Sequence, residues 1–247
     1  MELREFLSGI RFRHILPESS QPVVTLPYPY VNQYPQNILM EMDNAILPAE
    51  EQPLRDRVLS VWHVPRLSSF LNGAIVNYAV SRMKTGLAYV HAGNYNSYLL
   101  HPFHLLAGMS GQPGRVCIGV DDFTRFGHSP DPFLLYFNSV KSDHHRFYDM
   151  DPKDYFSRVH DVPIGCYMFD GLPDYDGQME GLKQAEPFFA EGCTILAADT
   201  NWPEKRQAVL DFVRRQPWNY EILLDVQTNG NCHPTYWNGL MVVQKTI

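Results

Sequence analysis

The stretch CTILAADTNWPEKRQAVLDFVRR, residues 193–215, contains an apolar run, a polar turn and an amphipathic segment in that order. Its first six residues are almost continuously apolar, which is typical of a strand buried on both faces of a sheet. Asp199 ends this run, and Pro203 is a residue type that favours the first turn of a helix. Ala208, Phe212 and Val213 then follow with helical spacing. The stretch therefore predicts a strand, a turn that carries a carboxylate, and a helix at 203–215.

The same alternation extends from residue 87 to about residue 224. Apolar runs predict strands at 87–92, 115–120, 164–169, 193–198, 220–224 and 240–243. Apolar spacing predicts helices from Ser68 or Ser69 to Met83 and at 98–109, 132–140, 151–159, 174–190 and 203–215. Continuous apolar strands that alternate with helices predict an α/β fold with a Rossmann-like, doubly wound, mostly parallel sheet. The last two strands lack an intervening helix, so the final strand is expected to run antiparallel.

Composition excludes several classes of protein. The chain has 247 residues, a formal net charge of −7 and 45% apolar residues, which excludes a fully disordered chain and argues against a broad basic face for nucleic acid. No apolar run approaches the roughly 20 residues of a membrane span, and residues 1–5 lack the apolar core of a signal peptide. The four cysteines are widely spaced, as is typical of reduced thiols. We therefore expect a cytoplasmic protein without nucleic-acid or membrane partners.

Residues 1–60 are rich in proline and differ from residues 61–247 in composition and in the pattern of apolar residues. Proline lacks an amide donor and restricts the residue before it, so long regular elements are not expected there. Within this part, Leu26–Pro35 alternates proline with tyrosine. Two interpretations stay open, an arm packed on its own domain and an extension through which copies form a homo-oligomer. The prediction is an N-terminal arm at 1–60 and one Rossmann-like domain at 61–247.

Polar residues or glycines follow most of the predicted core strands. Open α/β sheets bind ligands beyond the carboxyl ends of their strands. Acidic residues at such positions also cap the helices that follow, but repetition over several strands favours a ligand site. The residues concerned are His91, Gly93, Asp121, Asp122, Asp149, Asp151, Asp170, Asp199 and Asn201.

Gly93 and the acidic pair Asp121-Asp122 suggest what this ligand is. A glycine after the first core strand lets a ligand approach the backbone closely. A carboxylate about 28 residues later, after the second core strand, is suited to accept hydrogen bonds from a ribose diol. The pairing favours a cofactor that contains a nucleoside. Because the chain has neither G-x-G-x-x-G nor G-x-x-x-x-G-K-[ST], nicotinamide cofactors and nucleoside triphosphates are disfavoured.

Three segments, Tyr167–Tyr175, Gly181–Gly192 and Ile195–Asn201, resemble the class I S-adenosylmethionine-dependent methyltransferases. The nearest subgroup is that of the macrocin-type sugar O-methyltransferases and related natural-product enzymes, and the resemblance covers residues 66–247. It implies a seven-stranded sheet with one antiparallel edge strand. It also implies an enzyme that transfers a methyl group from S-adenosylmethionine to a small-molecule acceptor, a natural product or a sugar, by in-line displacement at oxygen.

The resemblance also assigns roles by position. The segment Tyr89–Ser97 corresponds to the glycine-rich cofactor loop, and Tyr148–Asp151 lies near the adenine pocket. The residues assigned to S-adenosylmethionine are His91, Gly93, Asn94, Ser97, Asp121, Asp122, Asp149, Asp151 and Asp170. The residues assigned to a divalent metal such as Mg²⁺, which would position the acceptor hydroxyl, are Asp170, Asp199 and Asn201.

The chain departs from the family pattern at four places. His91 replaces the leading acid of the cofactor loop and Ser97 its last glycine, while Ala198 replaces the first of two paired acids. Leu172 and Pro173 replace an acid and a histidine that follow the fourth strand of the family. A hard cation prefers more oxygen ligands than the remaining residues offer. These departures motivate an alternative function, a protein of this fold that has lost methyl transfer and either catalyses another reaction or serves in binding or assembly.

His233 is the predicted base, acting beside Asp170 and Asp199 in the catalytic set, because the pKa of an imidazole lies near neutrality. The alternative is that His233 orders the turn before the last strand. His91 is a second candidate base, but a role in stabilising the loop is preferred for it.

Two further features have two interpretations each. His144-His145 is either a pair of metal ligands with Asp143 or, preferably, part of a solvated loop. The aromatic residues Trp202, Tyr236 and Trp237 either line an acceptor pocket or belong to the core.

Overall fold

The described parts of the chain are residues 1–13, 44–93, 102–123, 129–171, 174–216, 219–228 and 232–247 of a computed structural model. The strands in these parts are β1 Arg11–Phe12, β2 Ala45–Ile46, β3 Ala88–Ala92, β4 Val116–Asp121, β5 His145–Asp149, β6 Ile164–Phe169, β7 Phe189–Ala198, β8 Tyr220–Val226 and β9 Leu240–Lys245. The α-helices are α1 Leu3–Gly9, α2 Gln52–Ser60, α3 Phe70–Arg82, α4 Phe103–Met109, α5 Asp131–Val140, α6 Pro152–Arg158, α7 Tyr175–Ala185 and α8 Pro203–Arg215.

Seven strands form one sheet in the order β5-β4-β3-β6-β7-β9-β8. β3 pairs in parallel with β4 and β6, and the pairs β4–β5 and β6–β7 are parallel as well. β9 runs antiparallel to both β7 and β8, so these last two strands make the antiparallel edge of the sheet. The predicted Rossmann-like, doubly wound α/β fold is confirmed.

Both faces of the sheet are buried by helices. Tyr89 and Met168 belong to a core cluster that includes residues of α2 to α5. Val90 and Tyr167, their neighbours in β3 and β6, belong to a second cluster that includes residues of α6 to α8. Successive side chains of one strand therefore enter opposite cores. With both faces covered, the strand ends are the places left for a ligand.

Helix α3 begins close to the predicted position because Ser69 caps it. The Ser69 Oγ accepts a hydrogen bond from the Asn72 amide at 3.1 Å. Ser68, one residue earlier, contacts His104 in the first turn of α4. Since α4 follows β3 along the chain, this contact places the start of α3 at the carboxyl edge of the sheet.

The first 13 residues pack on the domain. The ring of Phe6 in α1 stacks on Tyr78 of α3 with centroids 3.9 Å apart. Phe6 is fully buried, and the Tyr78 hydroxyl donates a hydrogen bond to the Met1 carbonyl. This part of the predicted arm thus lies on its own domain, while Leu26–Pro35 lies outside the described residues.

Two local predictions were wrong in part. His144 lies in an exposed turn, in agreement with the preferred solvated loop, but His145 is the first residue of β5, where it is buried and contacts the Gln112 carbonyl through Nε2 at 3.1 Å. The predicted helix 174–190 ends at Ala185, and β7 already begins at Phe189. Pro187 lies in the short 3-10 helix between them, where a proline cannot continue the α-helical hydrogen bonds.

Among the described residues, no helix combines the length and apolar character that crossing a membrane requires.

Candidate functional site

The candidate site lies where β3 and β6 meet at the carboxyl edge of the sheet. The chain leaves β3 toward one face and β6 toward the other, which makes this the crevice where open α/β sheets bind ligands. The Asp170 amide donates to the Ala92 carbonyl at 2.9 Å. Gly93 has a φ of +72°, and a Cβ atom there would lie 2.8 Å from the Gly171 nitrogen. A glycine is therefore required at position 93 for the two loops to approach each other.

Asp170 is the centre of a buried polar cluster. Its Oδ2 lies 3.2 Å from His104 Nδ1 and 3.9 Å from His91 Nε2. Its Oδ1 lies 3.5 Å from the Nζ of Lys205, whose side chain is only 1% exposed. Asp170 itself retains 14% side-chain exposure. Solvent therefore has almost no access to the basic side chains of the cluster, but it does reach the carboxylate of Asp170.

The charges in this cluster favour an ionised Asp170. Burial alone raises the pKa of this carboxyl, but the Lys205 ammonium, the hydrogen bond from His104 and the charge of His91 outweigh burial and hold the pKa well below its usual range. Burial raises the pKa of Asp199, and the charge of Asp170 raises it further against the opposing effect of Lys205. Of the two carboxylates, Asp170 therefore holds its negative charge more firmly.

A hydrogen-bonded chain runs from Ser68 through His104 to Asp170. The Ser68 Oγ lies 2.6 Å from His104 Nε2, and the other ring nitrogen contacts Asp170. Tyr89 of β3 donates to the His104 carbonyl at 3.2 Å and fixes the start of α4. A hydroxyl, an imidazole and a carboxylate in this order form a path along which a proton can leave the hydroxyl.

Asp199, the residue after β7, has a strained backbone conformation. Its φ of +61° is uncommon for a residue with a side chain, and such strain concentrates at functional sites. The Asn238 side chain donates to Asp199 Oδ1 at 2.9 Å. The nearby Asn201 is occupied elsewhere, because its Nδ2 donates to Thr228 Oγ1 at 2.9 Å and its Oδ1 accepts from the Thr228 amide at 2.9 Å. Asn201 thus joins two loops.

These contacts do not fit the divalent metal that the resemblance assigns to Asp170, Asp199 and Asn201. A hard cation needs several oxygen ligands, yet the amide oxygen of Asn201 already accepts from Thr228 and the Lys205 ammonium faces Asp170. His91, His104 and Asp170 do bring ligand atoms within 4.8 Å of one another. In this cluster too the carboxylate faces Lys205, and both nitrogens of His104 have partners.

His233 lies in a tight turn before β9. Its backbone exchanges two hydrogen bonds with Trp237, and its Nδ1 lies 2.7 Å from Thr235 Oγ1. The residue is buried, and burial lowers its pKa to about 4. These contacts favour the interpretation that His233 orders the turn, because an imidazole with so low a pKa accepts protons poorly near neutrality.

The carboxylates assigned to the cofactor differ in their surroundings. Asp121, at the end of β4, is buried and accepts a hydrogen bond from the Phe123 amide at 2.7 Å. Asp149 is exposed and lies opposite Asp121 in the register of β4 and β5. Asp151 caps α6 by accepting from the Lys153 amide at 2.8 Å. Asp122 is half-buried beside Asp121. The remaining cofactor residues, Asn94 and Ser97, and the replacements Leu172 and Pro173 lie outside the described residues.

The three aromatic candidates divide between surface and core. Tyr236 and Trp237 are buried, and Tyr236 makes an edge contact with Phe12 at 5.7 Å between centroids. Trp202, just before α8, is 45% exposed.

Three residues of this cluster were not predicted as site residues from the sequence, namely Ser68, His104 and Lys205. The helical spacing could have revealed Lys205. Residues 3, 4 and 7 positions after it, Ala208, Val209 and Phe212, form the buried face of α8, and a helix that packs on a sheet normally has an apolar residue at such a position. His104 stands out in the same way, since every other residue of α4 is also buried and apolar or glycine. A charged or titratable residue on a buried helix face therefore indicates a partner across the core.

No protein-family profile and no curated protein sequence matches the chain. Solved structures do match its fold. The O-methyltransferase TomG from Streptomyces achromogenes in complex with SAM is 13% identical, with a TM-score of 0.52, over 79% of this chain and 90% of that one. The cofactor-bound Rv0187 from MTB is 12% identical, with a TM-score of 0.54, over 80% and 91%.

The O-methyltransferase from Bacillus cereus in complex with SAH is 11% identical, with a TM-score of 0.50, over 71% of this chain and 79% of that one. At these identities the likeness shows the fold alone. The chain has the fold of the class I S-adenosylmethionine-dependent methyltransferases.

Proposed function

We propose that the chain is an S-adenosylmethionine-dependent O-methyltransferase that acts on a small-molecule acceptor. The observation that carries this proposal is the arrangement at the carboxyl edge of the sheet. Gly93 follows β3, where β3 and β6 meet. Asp121 ends β4 on one side, and Asp170 with its bases follows β6 on the other. A cofactor half and an acceptor half of a transfer site are thus adjacent.

The described residues fit the cofactor. Asp121 is a buried carboxylate at the strand end where a ribose diol is expected, and Gly93, the residue after β3, has no side chain to keep a ligand from the backbone. The predicted contacts of His91, Asn94, Ser97, Asp122, Asp149 and Asp151 are part of the same proposal. When bound, S-adenosylmethionine supplies a methyl group on a positively charged sulfur.

The acceptor half offers a route for the proton that the acceptor hydroxyl must lose. Asp170, whose side chain keeps 14% exposure, accepts a hydrogen bond from this hydroxyl and takes its proton as the methyl group is transferred. Ser68 is buried and holds the His104 ring through Nε2. His104 in turn holds the Asp170 carboxylate in place through Nδ1. Alignment of the two reacting groups is the main task left to the protein, and in favourable cases alignment is worth about 7–11 kcal/mol. The choice of a sugar or natural-product hydroxyl rests on the family resemblance.

The first test is the affinity of the purified chain for S-adenosylmethionine and S-adenosylhomocysteine, measured by isothermal titration calorimetry. Asp121→Ala is expected to weaken binding by about tenfold or more, since it removes charged hydrogen-bond acceptors from the ribose. Asp143→Ala is the matched control, because Asp143 is exposed in the turn before β5. An unchanged affinity in Asp121→Ala would exclude this residue as the ribose ligand, and no binding by the wild type would refute the proposal.

A second test separates methyl transfer from binding alone. The wild type is incubated with methyl-labelled S-adenosylmethionine and a panel of sugars and phenols, and the products are analysed by mass spectrometry. Methylated product supports the transferase. Tight cofactor binding without product from any acceptor would favour the alternative, a protein of this fold that has lost methyl transfer.

A further inference from the structure

We propose that Lys205 provides the positive charge of this site in place of a divalent metal, and that its ammonium binds the oxygen of the acceptor hydroxyl. The first half rests on the position of Lys205 beside Asp170 and on the charges around it. The second half rests on the proposed methyl transfer.

The position of the ammonium carries the first half. Lys205 Nζ lies 3.5 Å from Asp170 Oδ1, and the charges of both Asp170 and Asp199 act on it. These are the two carboxylates that the family resemblance assigns to a cation. The side chain of Lys205 is 1% exposed, so little water screens the interaction. A divalent ion added between the same carboxylates would meet a buried positive charge.

Lys205 is placed against the usual preferences of a helix, which indicates that the carboxylates hold it there. It is the third residue of α8, and a cation in the first turn is opposed by the helix dipole. It also lies on the buried stripe formed by Ala208, Val209 and Phe212. Burying an ammonium is costly unless it is paired. Asp170 supplies that pairing.

The donor capacity of the ammonium carries the second half. An ammonium has three N–H donors. Within the described residues Lys205 makes one hydrogen bond, the contact with Asp170, and at 3.5 Å this contact is long. A buried ammonium with unused donors beside a partly exposed carboxylate is suited to bind an oxygen that arrives from outside. The hydroxyl of an alcohol or a phenol is such an oxygen.

The step balances without a metal. The acceptor oxygen forms a bond to the methyl carbon, the carbon–sulfur bond breaks, and sulfur keeps the electron pair. The acceptor proton passes to the carboxylate of Asp170, which lies beside Lys205 and is partly exposed. Lys205 keeps its three protons throughout and stabilises the negative charge that develops on the oxygen.

Manganese binding tests the inference without an identified acceptor. The probe is Mn²⁺ alone, titrated into tag-free protein and followed by electron paramagnetic resonance of the free ion. The wild type is expected to bind no Mn²⁺ at this site at millimolar concentration. Lys205→Met removes the ammonium and leaves the negative charges of Asp170 and Asp199 uncompensated, so Mn²⁺ affinity should rise by about tenfold or more. Lys153→Met is the matched control, because Lys153 is 71% exposed on α6, and it should behave as the wild type.

Each outcome decides the first half. Stoichiometric binding to the wild type that Asp170→Asn abolishes would overturn it, and so would a folded Lys205→Met that gains no Mn²⁺ affinity. If Lys205→Met does not fold, Lys205→Gln keeps a polar group in the space and is titrated in its place, while the wild-type measurement stands independently.

The second half is read from the acceptor panel of the transfer assay. Chelator is expected to leave the rate unchanged, while Lys205→Gln should lower kcat by about 100-fold with little change in cofactor affinity. A rate that collapses with chelator and returns with Mg²⁺ would overturn this half. Failure of the wild type to bind S-adenosylmethionine in calorimetry would refute the proposed function instead, and it would leave the Mn²⁺ result to be judged by itself.

Discussion

Asp170 illustrates how one carboxylate sets the electrostatics of a site. It contacts His104 on one oxygen and Lys205 on the other, and neither partner has much access to water. A buried cation that loses its anion keeps its desolvation cost without the compensating attraction. The stability of the fold and the chemistry of the site therefore depend on the same side chain.

Replacing Asp170 by asparagine should destabilise the protein by about 3 kcal/mol, because Lys205 then stays buried without its principal anion. Urea denaturation followed by circular dichroism measures this change. The matched control is Asp143→Asn at an exposed position, which should change the free energy of unfolding by less than ~0.5 kcal/mol. A similarly small effect in Asp170→Asn would show that Lys205 does not need this partner.

Helix α4 shows how tightly an element must pack to hold a functional residue. Its Gly108 lies against the ring of Tyr89 in β3, and a Cβ atom at that position would be 2.4 Å from Tyr89 Cε1. Tyr89 in turn donates to the His104 carbonyl. The packing of α4 against the sheet therefore sets the distance between His104 and Asp170.

Gly108→Ala should destabilise the protein by about 1–3 kcal/mol, since the added methyl group forces the helix and the ring apart. Gly114→Ala is the matched control, because a Cβ atom at Gly114 has no neighbour within 4 Å, and it should be neutral or slightly stabilising. Thermal unfolding of both variants measures the difference. Equal melting temperatures for Gly108→Ala and Gly114→Ala would show that α4 can move away from β3 without a loss of stability.

The elements differ in how well their sequence predicts them. α8 was predicted at its observed bounds, because Pro203 opens it and its apolar residues recur at helical spacing. β5 was missed, because His145–Asp149 lacks a continuous apolar run and lies at the edge of the sheet, where burial is only partial. A strand at the edge of a sheet buries fewer apolar side chains, so its sequence predicts it less clearly.

At the level of the whole molecule, the sequence indicated which strand ends carry polar groups but not which side chains meet there. Asp170 and Asp199 were predicted to lie at the carboxyl edge, and the structure places them there. The contacts of Asp170 with His104 and Lys205 join helices from opposite faces of the sheet. Such meetings depend on packing across the sheet, which the local pattern of residues does not encode.

The pH dependence of stability should reflect His233. Burial lowers its pKa to about 4, below the value near 6.5 of an exposed imidazole. The unfolded chain therefore takes up this proton first. The stabilisation is complete above pH ~6.5 and is lost as the pH falls from there towards 4. Asp170 adds a further loss below pH ~3.9, because its pKa is also depressed by folding.

Urea denaturation between pH 7 and pH 4 measures this loss. His233→Gln should remove part of the slope, of the order of 2 kcal/mol over this range. His144→Gln, at an exposed position, should keep the wild-type slope. Parallel curves for the wild type and His233→Gln would show that His233 titrates alike in the folded and unfolded chains.

The insertion of β9 between β7 and β8 has a consequence for the order in which the molecule is assembled during translation. β5, β4, β3, β6 and β7 can pair as soon as they leave the ribosome, whereas β8 has no neighbour in the sheet until β9 has emerged. The turn at Asp199 waits as well, because the Asn238 side chain that holds it directly precedes β9. The contacts of Asp170 with His104 and Lys205 can thus form on a nascent chain before the turn at Asp199 is held. Limited proteolysis of labelled ribosome-bound chains would show β3 to β7 protected from protease while the Asp199 turn is still cut.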